Sequence, residues 1–209
     1  MALKIAVLGS GSGTNFEAIA RYFDASEKKP IANIVCVISD VPGAYIIERA
    51  KKRNIFAETI PCTTFKTKLD PETEERYVDT MKAQNAELVV LAGFMRIVKR
   101  GILYAFPNRV INIHPALLPA FLGLKSWKQA YDYGAKVTGC TVHFADEGID
   151  TGPIIAQRVV RIENADTSES VHEKIQEQEH DVYPKVIEAI ALGKVTLQGR
   201  KVLIEGGNI

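Results

Sequence analysis

Short apolar runs rich in β-branched residues recur along this chain, at Leu3–Leu8, Ile34–Ser39, Phe56–Ile60, Leu88–Leu91 and Val110–His114. They are too short for core helices, and their near-continuous β-branched character as a set predicts strands of a sheet covered on both faces. Between them, apolar positions at helical spacing predict helices over Asn15–Phe23, Ala44–Arg53 and Pro71–Gln84. Strand and helix in alternation predict a doubly wound α/β unit with a mostly parallel sheet. Ligands of such sheets bind outside the carboxyl ends of the strands, and Gly9, Asn112 and His114 all fall at such ends.

The pattern changes in the second half. Lys136–Phe144 and Pro153–Ile162 alternate apolar and polar residues and are joined by a turn-rich loop, which predicts antiparallel strands added to the sheet. A long helix is expected from Ser168 to about Leu192, and Thr196–Gln198 with Lys201–Leu203 flank Gly199-Arg200 as a hairpin. The expected organisation is one domain over residues 1–192, with a hairpin and tail over 193–209. The last stretch, Glu205–Ile209, is expected to fray.

Composition narrows the function classes. With 26 basic against 25 acidic residues, the chain offers no overall electrostatic footprint for nucleic acid. No apolar run approaches membrane length, and the N-terminus runs straight into a strand without a charged leader, so the cytoplasm is the expected compartment. Cys36, Cys62 and Cys140 are far apart and lack metal-ligand or redox spacing. His172 and His180 lie eight apart with no carboxylate in a metal-binding pattern, so no metal is expected.

Two segments carry candidate chemistry. Gly9-Ser10-Gly11-Ser12-Gly13-Thr14-Asn15 links the first strand to the first helix, where exposed N–H groups and a helix N-terminus form an anion site suited to phosphate. Thr14 breaks the dinucleotide fingerprint and no Gly-Lys-Ser/Thr follows, so neither a dinucleotide nor a triphosphate is indicated. Glycines that merely allow a tight turn would read the same way.

The other is Asn112-Ile113-His114-Pro115 together with Asp150-Thr151-Gly152-Pro153. Asn112 and His114 lie two apart on a strand and share a face, and Pro115 keeps His114 out of the helical region. An amide, an imidazole and a carboxylate suit proton-coupled chemistry at a carbonyl. The same residue types also satisfy turn backbone groups, so residue type alone leaves a structural role open.

With the motifs Gly93-Phe94-Met95-Arg96-Ile97, Leu117-Leu118-Pro119, Gly139-Cys140-Thr141-Val142-His143 and Gln176-Glu177-Gln178-Glu179-His180 added, the chain resembles the folate-dependent glycinamide ribonucleotide transformylase family from Lys4 to about Ala191. The resemblance implies the Rossmann-like formyltransferase fold. It also implies transfer of a formyl group from 10-formyltetrahydrofolate to the amino group of glycinamide ribonucleotide in purine biosynthesis. Asn112, His114 and Asp150 match the catalytic trio. Gly11, Ser12, Gly13, Thr14 and Asn15 would hold the substrate phosphate, and Glu179 the ribose hydroxyls. Met95, Arg96, Ile97 and Val98 would line the folate pocket, with main-chain groups of Arg96 and Val98 reading the pterin and the loop from Phe144 to Ile149 on its other side. His143 and Gln176 are candidates for supporting roles. The partners implied are small molecules, with no nucleic acid and no membrane, and the chain is expected to act as a monomer or homodimer.

One segment departs from the family pattern. After Leu118-Pro119 the family has an aromatic-Pro-Gly turn and then histidine or asparagine, whereas this chain reads Phe121-Leu122-Gly123-Leu124-Lys125-Ser126-Trp127. Losing the proline frees one backbone angle of the loop, leaving its conformation and any role of Lys125 open. The alternatives are a sugar-nucleotide or methionyl-tRNA formyltransferase, or a non-enzymatic nucleotide-binding module. The last would leave Asn112, His114 and Asp150 without a task.

Overall fold

The computed structural model describes residues 1–25, 31–207 and 209. The elements are β1 (Leu3–Leu8), α1 (Thr14–Asp24), β2 (Ala32–Ser39), α2 (Tyr45–Lys52), β3 (Phe56–Thr59), α3 (Pro71–Ala83), β4 (Leu88–Leu91), α4 (Arg100–Ala105), β5 (Val110–His114), α5 (Ser126–Tyr133), β6 (Val137–Phe144), β7 (Ile154–Arg161), α6 (Ser168–Ala191), β8 (Val195–Gln198) and β9 (Lys201–Ile204). Each strand and helix expected from the pattern is present, with ends shifted by no more than two residues. Helices α4 and α5 are additions.

Seven strands form one sheet in the order β3-β2-β1-β4-β5-β6-β7, and β8 pairs with β9 as a hairpin. The pairs β1–β2, β2–β3, β1–β4 and β4–β5 are parallel, and β6–β7 is antiparallel. The chain forms two compact units, Met1–Asn112 with Ala145–Glu147, and Ile113–Phe144 with Gly148–Ile209.

In the first unit the order reverses at β1, with β2 and β3 on one side and β4 and β5 on the other. Ligand crevices of open α/β sheets form at such a switch point. Here the ends of β1 and β4 approach closely: a side chain on Gly9 would place its Cβ 2.9 Å from Ala92 O, and Ser10 N–H donates to Gly93 O at 3.0 Å. Only glycine fits at position 9. Ala6 and Leu8 of β1 join Cys36, Ile38, Val89 and Leu91 in one apolar layer, which Tyr77, Val78 and Met81 of α3 cover. Strand periodicity turns Ile5 and Val7, both fully buried, to the opposite face.

Glu17 of α1 ties that helix to the end of α2, accepting from Arg53 Nη2 at 2.6 Å and from Arg21 Nε at 2.9 Å. The Arg53 hydrogen bond, opposed by burial and reinforced by Arg21, lowers the Glu17 carboxyl from its ordinary 4.5 to about 2. The unfolded chain therefore takes up this proton near pH 4.5 while the folded chain resists until about pH 2. The stabilisation is complete above the higher value and is lost as pH falls through the window between them. Arg53→Met is expected to lose less stability on acidification than the parent, as read from urea midpoints at neutral pH and within that window. Parallel acid losses in the two proteins would contradict this role for the pair.

In the second unit α6 buries Val171, Ile175, Val182, Tyr183, Val186 and Ile187 at helical spacing. It starts with a capping box, in which Ser170 N–H donates to Thr167 Oγ1 at 3.1 Å and Thr167 N–H to Ser170 Oγ at 3.0 Å. At the described residues of the tail, Glu205 N–H donates to Lys194 O at 2.9 Å, and the Arg158 guanidinium donates to Ile209 O. Asn208 lies outside the described residues.

Candidate active site

The glycine loop divides into glycines the fold requires and one it does not. Gly13 has φ of 75°, and a Cβ there would stand 2.8 Å from Ile46 Cβ, so α2 packs directly on this backbone. Gly11, by contrast, has no heavy atom within 4 Å of where its Cβ would point. The tight-turn explanation accounts for Gly9 and Gly13 and leaves Gly11 unexplained. Ile46 N–H donates to Gly11 O at 3.1 Å, and Arg49 Nε to Ser12 O at 2.8 Å, which fixes the peptide planes of the loop. Residue Gly13 caps α1 without a side-chain hydrogen bond, and the first helical turn presents N–H groups with no helical acceptor.

In the Met95–Val98 segment, where the resemblance assigns pterin reading to main-chain groups of Arg96 and Val98, the side chains of those two residues are engaged elsewhere. Val98 is buried in the apolar layer beside α3. The Arg96 guanidinium turns inward, where Nε donates to Asp40 Oδ2 at 2.7 Å and Nη2 to Cys62 O at 3.2 Å, and Nη1 donates to Phe65 O. Ile97 N–H donates to Thr67 O at 2.9 Å. With the Arg96 and Val98 side chains engaged, their main chain is what this segment can offer a ligand, together with Met95, which is 54% exposed. Glu147, in the loop after β6, is held by Arg100 Nε at 3.1 Å and Tyr104 OH at 3.0 Å, while Lys99 Nζ donates to its carbonyl at 3.0 Å.

The second unit places Asp150 between two imidazoles. His114, at the end of β5, is 4% exposed. Its Nδ1 lies 3.4 Å from Asp150 Oδ2, and its Nε2 lies 2.8 Å from Phe121 O. Both ring nitrogens thus face oxygen atoms. His143, also buried, directs Nε2 at Asp150 Oδ1 from 3.8 Å and Nδ1 at Phe144 O from 2.8 Å. Asp150 itself has φ of 54°, in the left-handed region that its short polar side chain tolerates, and its Oδ2 accepts from Gly123 N–H at 2.9 Å. Asn112 stands two residues before His114 on β5, on the same strand face, paired in register with Leu91.

Residues outside the candidate set, Thr141 and Gln157, hold this arrangement. Thr141 Oγ1 donates to Ala116 O at 2.7 Å and accepts from Leu118 N–H at 3.1 Å. Gln157, opposite Thr141 in the β6–β7 register, donates to both Leu118 O and Thr141 Oγ1 at 3.0 Å. The departing loop is ordered by its main chain: Gln129 Nε2 donates to Leu122 O at 2.9 Å and Leu124 O at 3.0 Å. Lys125 has φ of 53° and serves as the N-cap of α5.

On α6, Glu179 is 5% exposed, so its carboxylate does not belong to a solvated face. Gln176 is half-buried, three residues earlier on the same face, and its Nε2 lies 3.5 Å from His172 Nε2. His172 in turn stacks on Trp127, with ring centroids 4.0 Å apart. Burial lowers the His172 and His180 imidazoles below their ordinary value, so both favour the neutral form.

The sheet is Rossmann-like with a glycine loop at its switch point, and the amide, imidazole and carboxylate groups described are of the kinds suited to proton-coupled chemistry at a carbonyl. The profile of the family described as formyl transferase matches residues 3–187. Phosphoribosylglycinamide formyltransferase of Bacillus subtilis (strain 168) is 40% identical over 187 residues, 90% of this chain and 94% of that protein. The trifunctional purine biosynthetic protein adenosine-3 of Chironomus tentans is 37% identical over 201 residues, 94% of this chain but 14% of that longer protein. The crystal structure of glycinamide ribonucleotide transformylase 1 from Symbiobacterium toebii superposes with a TM-score of 0.91 at 40% identity, covering 97% of this chain and 94% of that one. This chain belongs to the formyl transferase family, among its phosphoribosylglycinamide formyltransferases.

Proposed function

We infer that this protein transfers the formyl group of 10-formyltetrahydrofolate to the amino group of glycinamide ribonucleotide, a step of purine biosynthesis. The observation that carries the chemistry is the buried His114 imidazole held against the Asp150 carboxylate. The acceptor amine supplies the electron pair that forms the new C–N bond, and the formyl C=O electrons move onto oxygen. The resulting oxyanion is stabilised by the Asn112 amide and the His114 imidazolium, whose charge Asp150 balances. The intermediate then collapses: the bond from carbon to the folate nitrogen breaks, and the proton lost by the new ammonium reaches that nitrogen through Asp150 and water. For His114 Nε2 to donate to the oxyanion, that oxygen must replace Phe121 O as its acceptor.

In this reading Gly11, Ser12, Gly13, Thr14 and Asn15 hold the acceptor phosphate through main-chain N–H groups. Glu179, with Gln176 beside it, takes the ribose hydroxyls. The pterin is read by the main chain of Arg96 and Val98, with Met95 and Ile97 alongside. His143 supports Asp150 from its second oxygen. Gly11→Val is expected to weaken glycinamide ribonucleotide binding at least about 10-fold, by obstructing a backbone approach that the fold itself leaves open. Folate affinity and melting temperature should stay near the parent values. Titrations in which folate affinity suffers more than acceptor affinity would move the phosphate elsewhere.

We assign no metal to the reaction, because amide and imidazolium supply the electrophilic assistance. Turnover after exhaustive chelation should match that of untreated protein. A loss restored by one metal ion would refute this chemistry. No helix among the described residues is long and apolar enough to cross a membrane. We place the enzyme in the cytoplasm as a monomer or homodimer, a placement that cell fractionation and light scattering would test. An assay offering glycinamide ribonucleotide, an amino-sugar nucleotide and methionyl-tRNA side by side separates this function from its relatives: only the first should be formylated at an appreciable rate.

A further inference from the structure

The carboxylate of Asp40, at the end of β2, is 4% exposed and joins three strand ends at the switch point. Its Oδ1 accepts from Ser10 Oγ at 2.5 Å, in the glycine loop after β1. Its Oδ2 accepts from Arg96 Nε at 2.7 Å, in the segment after β4. Ser10 Oγ also accepts from Met95 N–H at 2.8 Å. The Asp40–Arg96 pair is nearly dry, with side-chain exposures of 3% and 14%.

A buried ion pair of this kind contributes little net stability relative to well-packed apolar side chains, because desolvation offsets its Coulombic gain. It does fix geometry, since each partner left alone is costly. Here the geometry fixed is the placement of two loops against each other. One is the phosphate loop of the proposed function and the other its pterin-reading segment.

We propose that Asp40, with Ser10 and Arg96, is a positioning device that couples the two substrate sites, so that ordering of the phosphate loop by glycinamide ribonucleotide orders the Met95–Val98 segment for folate. This rests on the functional reading above. Neither Ser10 nor Asp40 is required to touch substrate. A shift of either loop strains hydrogen bonds to one shared carboxylate, and a ligand that holds one loop in place removes part of the ordering cost for the other. By linkage the effect is reciprocal.

The test uses the full chain with tetrahydrofolate, which carries no formyl group to transfer, and glycinamide ribonucleotide. Its readout is the ratio of the tetrahydrofolate Kd without the ribonucleotide to that with it at saturation. The parent protein should give a ratio of about 5 or more. Ser10→Ala removes the hydroxyl that links Asp40 to Met95 N–H while leaving the Asp40–Arg96 pair intact, and should bring the ratio to within about 2-fold of unity. Ser10→Thr, which keeps a hydroxyl, should restore it. Asp40→Asn should act like Ser10→Ala if it folds; if it does not, the serine pair decides alone. A ratio near unity in the parent, or one unchanged in folded Ser10→Ala, overturns the coupling while both ligands still bind. Absence of binding by either ligand alone overturns the functional reading and the coupling with it.

Discussion

Replacing His114 by alanine, or Asp150 by asparagine, is expected to lower kcat by about 10²–10⁴-fold, the usual loss for a proton-transfer or oxyanion-stabilising group. The two variants probe different parts of one pair. His114→Ala removes the imidazole. Asp150→Asn keeps the shape and an oxygen for the Gly123 N–H that now donates at 2.9 Å, but removes the negative charge 3.4 Å from His114 Nδ1. Positive charge that builds on His114 as it donates to a developing oxyanion would then lack the carboxylate that balances it. Because neither residue belongs to the Gly11–Asn15 phosphate loop, affinity for glycinamide ribonucleotide should change little in either variant. Steady-state turnover with far-ultraviolet circular dichroism checks both points. A folded variant that kept near-parental kcat would remove that residue from the mechanism.

Gly152→Ala should cost the protein more stability than any substitution in the phosphate loop proposed above. A Cβ at this position would stand 1.7 Å from Phe144 O and 2.8 Å from its carbonyl carbon, so main chain would have to move. No rotamer change relieves such an overlap. The Phe144 carbonyl also accepts the His143 Nδ1 hydrogen bond, and Phe144 N–H donates to Pro153 O at 2.9 Å. Displacing this peptide therefore disturbs both His143 and the loop carrying Asp150. Overpacking of this severity costs about 3 kcal/mol or more. At about 2–4 °C per kcal/mol for a chain of this size, the melting temperature should fall by roughly 6–12 °C, and turnover should fall with it. Calorimetry showing an unchanged transition would mean that the approach of Gly152 to β6 is looser than described.

The parallel half of the fold was legible because its central strands β1 and β4 are largely apolar on both faces, a pattern few other structures tolerate, whereas the edge strand β3 carries Glu58 and buries no residue fully. The helices α4 and α5 were not, for reasons that lie outside their own sequences. The start of α4 is capped by Glu74, which accepts from Lys99 N–H at 2.6 Å and Gly101 N–H at 3.2 Å from across the unit. The start of α5 is set by Lys125 in a left-handed conformation, with no side-chain cap to announce it. The candidate site divides in the same way. His114, Asp150 and His143 could be named from residue type and position. Their restraints by Phe121 O, Gly123 N–H and Phe144 O could not, because main-chain groups are the same at every residue. Asp40 escaped notice because a lone acidic residue at a strand end carries no signal until Arg96 and Ser10 are brought to it.

Formyl transfer itself is the most direct test of the assigned activity. Purified protein would be incubated with 10-formyltetrahydrofolate and glycinamide ribonucleotide, and the products resolved by mass spectrometry. The expected result is the ribonucleotide heavier by one formyl group in place of one amine hydrogen, with an equal amount of tetrahydrofolate released, and neither product formed in His114→Ala at a comparable rate. Release of formate with the ribonucleotide unmodified, or formylation of a different amine in its place, would contradict it.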